Sequence, residues 1–160
     1  MSIARFERVS AAQYAADTAT CKNVLPIEEV ALPSRATVGS AGYDYISTCE
    51  VTLATGESAV IPTGIRARIE PGWVLMLFPR SSMGFKHGLR LANTVGIIDS
   101  DYYHAKNEGH IMVKLVNSGD HPVTICPGDR FCQGVFLPHG TADEEAVSGE
   151  RTGGFGSTGM

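Results

Sequence analysis

Much of what commonly announces a function is missing from this chain. The longest apolar run is Trp73 to Phe78, far short of the roughly 20 residues that span a bilayer. The first residues, MSIARFERVS, carry charges where a signal peptide needs an apolar stretch. Cysteines are few, at Cys21, Cys49, Cys126 and Cys132, and no pair has the CxxC spacing of a redox or zinc motif. Free buried thiols rather than disulfides are expected, in a soluble cytoplasmic protein. Basic excess is lacking too: 13 Lys and Arg face 17 Asp and Glu, a net charge of −4. No global field therefore draws the chain to nucleic acid or to an anionic membrane. A polyanionic ligand needs local positive charge, for which Arg80, Arg130 and Arg151 are the candidates. No repeat and no interdomain linker is visible, and no His/Cys/Asp/Glu cluster has metal-ligand spacing.

What is present is a series of short extended runs cut by turn residues, with 18 Gly and 8 Pro among 160 residues. The length suggests one domain able to bury a real core. Ile65-Arg66-Ala67-Arg68-Ile69 alternates with period two, as a half-buried strand does. Trp73 to Phe78 is continuously apolar and is expected to be a strand buried on both sides, ended by Pro79. About eight to eleven such strands argue for an all-β sandwich or barrel, and a jelly roll fits the count. One short peripheral helix is expected from Ala11 to Ala19, with Ser10 and Gln13 as a capping box.

The central stretch is Asn93 to Tyr103, NTVGIIDSDYY. A glycine inside an apolar strand marks a bulge or a close approach of backbone to something else. Asp99, at the end of that strand, is placed as a general base would be. A tyrosine three residues on could cover a flat ring. The same residues would also serve as an ordinary polar turn. Pro79-Arg80-Ser81-Ser82-Met83-Gly84 reads as an anion cradle or as a capped turn with a solvated arginine. Gln133 is the one long polar side chain in the strand Phe131 to Leu137, a structural hydrogen-bonder or a ligand contact. His104 to Glu108 reads as a polar loop between strands. From Thr141 the composition turns polar and then glycine-rich. The division expected is a β domain over 1–148 and a mobile tail over 149–160. The tail's glycines would free backbone N–H groups to face an anion.

Five stretches, in order, resemble the motifs of the trimeric dUTP pyrophosphatases (dUTPases): AGYDY at 41–45, PRSSMGFKHGL at 79–89, GIIDSDY at 96–102, PGDRFCQGVF at 127–136 and RTGGFGSTG at 151–159. The resemblance implies a jelly-roll homotrimer with an active site at each subunit interface. It implies hydrolysis of dUTP to dUMP and pyrophosphate with Mg²⁺, keeping uracil out of DNA and supplying dUMP for thymidylate synthesis. Asp99 matches the base that activates water for attack on the α-phosphorus. Tyr102 matches the aromatic under the deoxyribose that rejects a 2′-hydroxyl. Asn93, Gly96 and Ile98 match a hairpin that reads uracil. Arg80, Ser81, Ser82 and Gly84 match the second, phosphate-binding motif, and Gln133 a phosphate-side contact. In the fifth motif, Arg151 is similar to a phosphate arginine and Phe155 to the ring over uracil, with Gly156, Ser157 and Thr158 near the γ-phosphate. Asp44 matches a carboxylate that reaches the metal through water.

Two departures from that pattern stand out. Tyr103 to Glu108 adds about five residues before Gly109. It also sets Tyr103 beside Tyr102, leaving open which ring meets the sugar. The fifth motif is one residue shorter between its arginine and its glycine pair. A rival of the same fold, dCTP deaminase, resembles the chain less, because Lys114 stands where that family has a catalytic glutamate. A second rival is a dUTP-sensing regulatory protein that presents the 104–108 loop to a partner.

Overall fold

Short extended runs, most of them separated by turn residues, form twelve strands in the computed structural model, which describes residues 2–143. They are β1 (Ala4–Arg8), β2 (Ser34–Arg35), β3 (Tyr43–Ile46), β4 (Val51–Leu53), β5 (Ser58–Pro62), β6 (Ile65–Ile69), β7 (Trp73–Pro79), β8 (Leu89–Leu91), β9 (Gly96–Ile98), β10 (Met112–Asn117), β11 (Val123–Ile125) and β12 (Arg130–Pro138). Two short helices, α1 (Ala11–Asp17) and α2 (Ser81–His87), and 3-10 turns at Ile27–Glu29 and Ser100–His104 complete the elements. The fold is the expected all-β jelly roll, with a five-stranded sheet β2-β3-β12-β7-β9, a three-stranded sheet β5-β10-β8, and the pairs β1-β6 and β11-β4. Among the described residues no helix is long and apolar enough to cross a membrane.

The five-stranded sheet shows why side-chain parity governs this molecule. β12 runs antiparallel to β7 from Cys132 opposite Pro79 to Pro138 opposite Trp73, and β3 lies on its other side with Asp44 opposite Gln133. Successive side chains on a strand point to opposite faces. Tyr45, Leu75, Leu77 and Cys132 therefore enter the core and are buried. Asp44, Met76, Phe78, Gln133 and Val135 lie on the other face. This corrects the expectation for Trp73 to Phe78: only Leu75 and Leu77 are buried, and Trp73, Val74, Met76 and Phe78 are half-buried. The run is apolar on two faces, yet the chain's own core covers one of them. Ile97 on the adjoining edge strand, half exposed at 50%, belongs to the same uncovered side.

Three other expectations are adjusted. Helix α1 stops at Asp17 rather than Ala19: Thr18 is its C-cap, with the last helical N–H bond to the Tyr14 carbonyl at 3.0 Å and its Oγ donating to the same carbonyl at 2.8 Å. Half of its capping box is present: Ser10 Oγ accepts from Gln13 N at 3.1 Å. The Gln13 side chain goes to Asp17, and the Ser10 N–H is taken instead by Glu108. The stretch after Arg80 is a helix, not a turn. Gly84 does not break α2, and the stop comes at Gly88, whose φ of +65° suits a left-handed cap. Of the thiols, Cys49 and Cys132 are buried, Cys21 is half-buried and Cys126 is exposed. Burial pushes the Cys49 thiol up to about 12.

Candidate active site

β8 and β9 do not pair with one another. β8 pairs with β10 and β9 with β7, so the loop between them steps from one sheet to the other. The hairpin expected over Asn93, Gly96 and Ile98 is thus an open one. Both strands are edges of their sheets. One side of each backbone is therefore not taken up by strand pairing, and N–H and C=O groups there can meet a ligand. The turn is tight, with Thr94 N–H on Leu91 O at 3.1 Å, Val95 N–H on Asn93 O at 2.7 Å, and Thr94 at a φ of +69°. Gly96 is needed at its place: a Cβ would sit 3.0 Å from that of Leu77 on the neighbouring strand.

Between these edges lies a cavity of about 330 Å³, lined by Leu77, Leu91, Asn93, Gly96, Ile98, Tyr102 and Lys114 among others. Asp99 follows directly on Ile98, half-buried in extended backbone at the head of the 3-10 turn, and its carbonyl accepts from Tyr102 N–H at 3.2 Å. The adjacent tyrosines separate. Tyr102 is buried at the cavity, and its hydroxyl donates to His110 O at 2.8 Å and accepts from Asn107 Nδ2 at 2.9 Å. Tyr103 turns away. Its hydroxyl donates to Glu7 at 2.7 Å and its ring lies 4.4 Å from the Arg66 guanidinium carbon. The Tyr103 bond, more than Arg66, holds the Glu7 carboxyl below its ordinary range against the effect of burial.

A second depression, a cleft of about 620 Å³, is lined by Gly42, Asp44, Phe78, Arg80, Ser81, Ser82 and Gln133. Asp44, only 11% exposed, accepts from Arg80 Nε at 3.1 Å and, more loosely, from Arg130 at 3.5 Å. Held through Nε, Arg80 keeps its terminal nitrogens for a further oxygen, the fork that suits a phosphate. Within the cleft Arg80 stands against Asp44, and Arg130, on the far oxygen of that carboxylate, adds a second positive charge beside it. Gly42 allows Gln133 to close in: a Cβ would lie 2.3 Å from Gln133 Oε1. The Gln133 amide donates to Pro79 O at a long 3.4 Å. Gly84 lines neither depression. It is exposed, a turn into α2, and a Cβ there would meet only Leu89 O at 3.8 Å. Arg151, Phe155, Gly156, Ser157 and Thr158 lie outside the described residues, as does the whole 149–160 division.

Sequence reasoning noted Arg130 only as a charge and did not single out Gly42 or Lys114 as site residues. Arg130 pairs with a carboxylate far away in sequence, so only the β3–β12 register could have revealed it. Among the described residues no group of three or more His, Cys, Asp or Glu could hold a metal ion. Asp44 is already shared by two arginines. This donor set fits a divalent cation that arrives on a polyphosphate and keeps its waters, not one caged by protein.

The cavity and the cleft stand on opposite faces of one strand. Leu77 lines the first and Phe78, its neighbour in β7, lines the second. Known proteins with this plan are found at several distances. A family model described as dUTPase matches residues 28–159. The deoxyuridine 5′-triphosphate nucleotidohydrolase of Lactococcus lactis subsp. lactis is 48% identical over 131 residues, covering 80% of this chain and 87% of that one. A crystal structure of dUTPase from Streptococcus mutans is 36% identical, covers 86% of this chain and 98% of the other, and superposes with a TM-score of 0.70. A mutant dUTPase from phage phi11 of S. aureus, described with a structural Mg(II) ion, is 22% identical, covers 92% and 98%, and has a TM-score of 0.68, a likeness of fold alone. The chain belongs to the dUTPase family and is an enzyme of it.

Proposed function

We propose that the chain hydrolyses dUTP to dUMP and pyrophosphate at a site shared between neighbouring copies, one giving the cavity and the next giving the cleft. The observation that carries this is the placement of the two depressions on opposite faces of β7. A nucleoside triphosphate has a flat, uncharged end and an anionic end. One chain offers a receptor for each, but they are turned away from one another. The half-buried apolar residues around the cleft, among them Phe78 and Val135, are where a second chain would dock, in the homotrimer that the motifs imply.

In this reading uracil enters between the edges of β8 and β9. Backbone donors and acceptors there match its own groups and leave a cytosine unpaired, while the closeness of Gly96 to Leu77 leaves little room for a thymine methyl. Tyr102 lies against the sugar and excludes a 2′-hydroxyl. Asp99 holds a water in line with the α-phosphorus and takes its proton as the new P–O bond forms and pyrophosphate leaves. Arg80, Ser81, Ser82 and Gln133 of the neighbour hold the phosphates, and Asp44 fixes the Arg80 fork. Mg²⁺ bound to the triphosphate would offset its charge, with Asp44 within reach only through water. Arg151, Phe155, Gly156, Ser157 and Thr158 would complete the donor set over the bound nucleotide. The work of such an enzyme is with the cytoplasmic nucleotide pool, keeping uracil out of DNA.

The test is to offer dUTP, dCTP, dTTP and UTP in turn with Mg²⁺ and to measure pyrophosphate and ammonia. Pyrophosphate from dUTP alone is expected. Ammonia from dCTP would give the site to a deaminase despite Lys114. Binding of dUTP with neither product would leave a sensing role.

A further inference from the structure

Residues 2–27 precede the part of the chain that the dUTPase model matches, and their side chains converge on one place. Glu7 accepts from the Tyr103 hydroxyl, Ser10 donates from both N and Oγ to the Glu108 carboxylate at 2.8 and 2.6 Å, and Asp17 meets His110 Nδ1. The three contacts flank Asn107. Glu108 itself sits at a φ of +59°, a conformation that a glutamate rarely adopts and that persists where its surroundings hold it. Gly109 follows at +71°, where a Cβ would lie 2.7 Å from Tyr102 O and from Tyr103 Cα. The loop is therefore folded hard back onto the tyrosines and clamped from outside.

What the clamped loop delivers is Asn107. Its Nδ2 donates to the Tyr102 hydroxyl at 2.9 Å and to His110 O at 3.2 Å, while its Oδ1 accepts from Gly109 N–H at 3.2 Å. The Tyr102 hydroxyl in turn donates to His110 O. The phenol thus has both a donor and an acceptor bond at its far end, and its ring is fixed where it lines the cavity. A ring held only by packing can tilt; one pinned at its hydroxyl cannot do so without breaking buried hydrogen bonds.

We infer that Asn107 is a positioning residue which, through the Tyr102 hydroxyl, sets the discrimination between deoxyribose and ribose, and that the N-terminal segment holds it in place through Ser10 and Glu108. The inference rests on the reading of the cavity as the base and sugar site. The informative variant is Asn107→Asp, which keeps an acceptor for Gly109 N–H and loses the donor to Tyr102.

Measured against dUTP and UTP, Asn107→Asp should lower the ratio of their kcat/KM values roughly five- to tenfold. The change should come mainly from UTP becoming a better substrate. In a Tyr102→Phe background, where there is no hydroxyl to hold, the same substitution should change that ratio less than about twofold. Exchange of the Tyr102 hydroxyl proton with solvent, followed by NMR on the protein without nucleotide, should become faster in Asn107→Asp. An unchanged ratio and an unchanged exchange rate would overturn the inference. So would a loss of discrimination that persists in full without the hydroxyl. Absence of dUTP turnover in the unmodified chain would instead overturn the reading of the site, and the exchange rate would still decide whether Asn107 holds the hydroxyl.

Discussion

The two depressions solve different physical problems. The cavity is walled by strand edges, a tight turn and a pinned tyrosine, with Lys114 in its lining and Asp99 following directly on Ile98 at its edge. The cleft is wider, polar and lined by guanidinium and hydroxyl groups, with Asp44 as an internal counter-charge. In the proposed function one end reads shape, because its backbone groups cannot move to suit a wrong base, and the other reads charge with long side chains that suit a phosphate. That reading assigns specificity and binding energy to separate faces of a single strand.

That contrast can be tested, beginning with the largest effect. Asp99→Asn should retain dUTP binding and lose turnover by about a thousandfold or more, since the base is gone and the walls remain. Steady-state rates together with a binding titration check this, and undiminished turnover would remove Asp99 from the chemistry. Arg80→Ala should raise KM for dUTP about tenfold or more and reduce its dependence on salt, while leaving the preference for uracil over cytosine unchanged. A shift in base preference would show that the two faces are not separate in function.

A smaller effect concerns the residue behind Tyr102. His110 is buried, and its Nε2 accepts from Gly64 N–H at 2.8 Å, so the ring proton is on Nδ1, facing Asp17. Burial lowers its pKa, against the pull of Asp17 and Glu108. The contact with Asp17 is then a neutral hydrogen bond rather than an ion pair, because protonating Nε2 would set two donors against each other. Since the folded pKa is depressed, the unfolded chain takes up the proton first. Stability from this group is complete above the unfolded value of about 6.5 and declines as pH falls below it, by at most about 1.4 kcal/mol per pH unit. Glu7 and Glu108, whose carboxyls are also lowered, lose their contribution only below the ordinary carboxylate range. Melting temperatures between pH 7.5 and 5 should fall first through the histidine window. A flat profile there would refute the tautomer assigned. The smallest effect belongs to the core: the Tyr45 hydroxyl is buried without a hydrogen-bond partner among the described residues. Tyr45→Phe should leave stability unchanged or raise it by about 1 kcal/mol, and a clear fall in melting temperature would reveal a partner.

The sequence made the all-β plan readable, because period-two runs and turn residues act locally. The places of Asp99 and Tyr102, after a strand end and in the turn that follows it, were readable for the same reason. Parity misled once: an apolar run such as Trp73 to Phe78 looks the same whether its second face meets its own core or lies uncovered. The helix after Arg80 was hidden by Gly84, which a short helix tolerates. The Asn107–Tyr102 bond was within reach, being five residues apart. The clamp that holds it was not, since Ser10 and Glu108 are 98 positions apart and a capping box seemed to satisfy Ser10 already.

A site divided between two faces of β7, as proposed, has a genetic consequence. Two dead variants should revive one another. A chain lacking Asp99 still brings a sound cleft, and one lacking Arg80 still brings a sound cavity. After unfolding and refolding together in equal amounts, roughly one site in four would unite the two intact halves of a head-to-tail ring. If each chain built its own site, mixing would restore nothing. A mutant copy in the same cell would then harm its normal partner as well as itself.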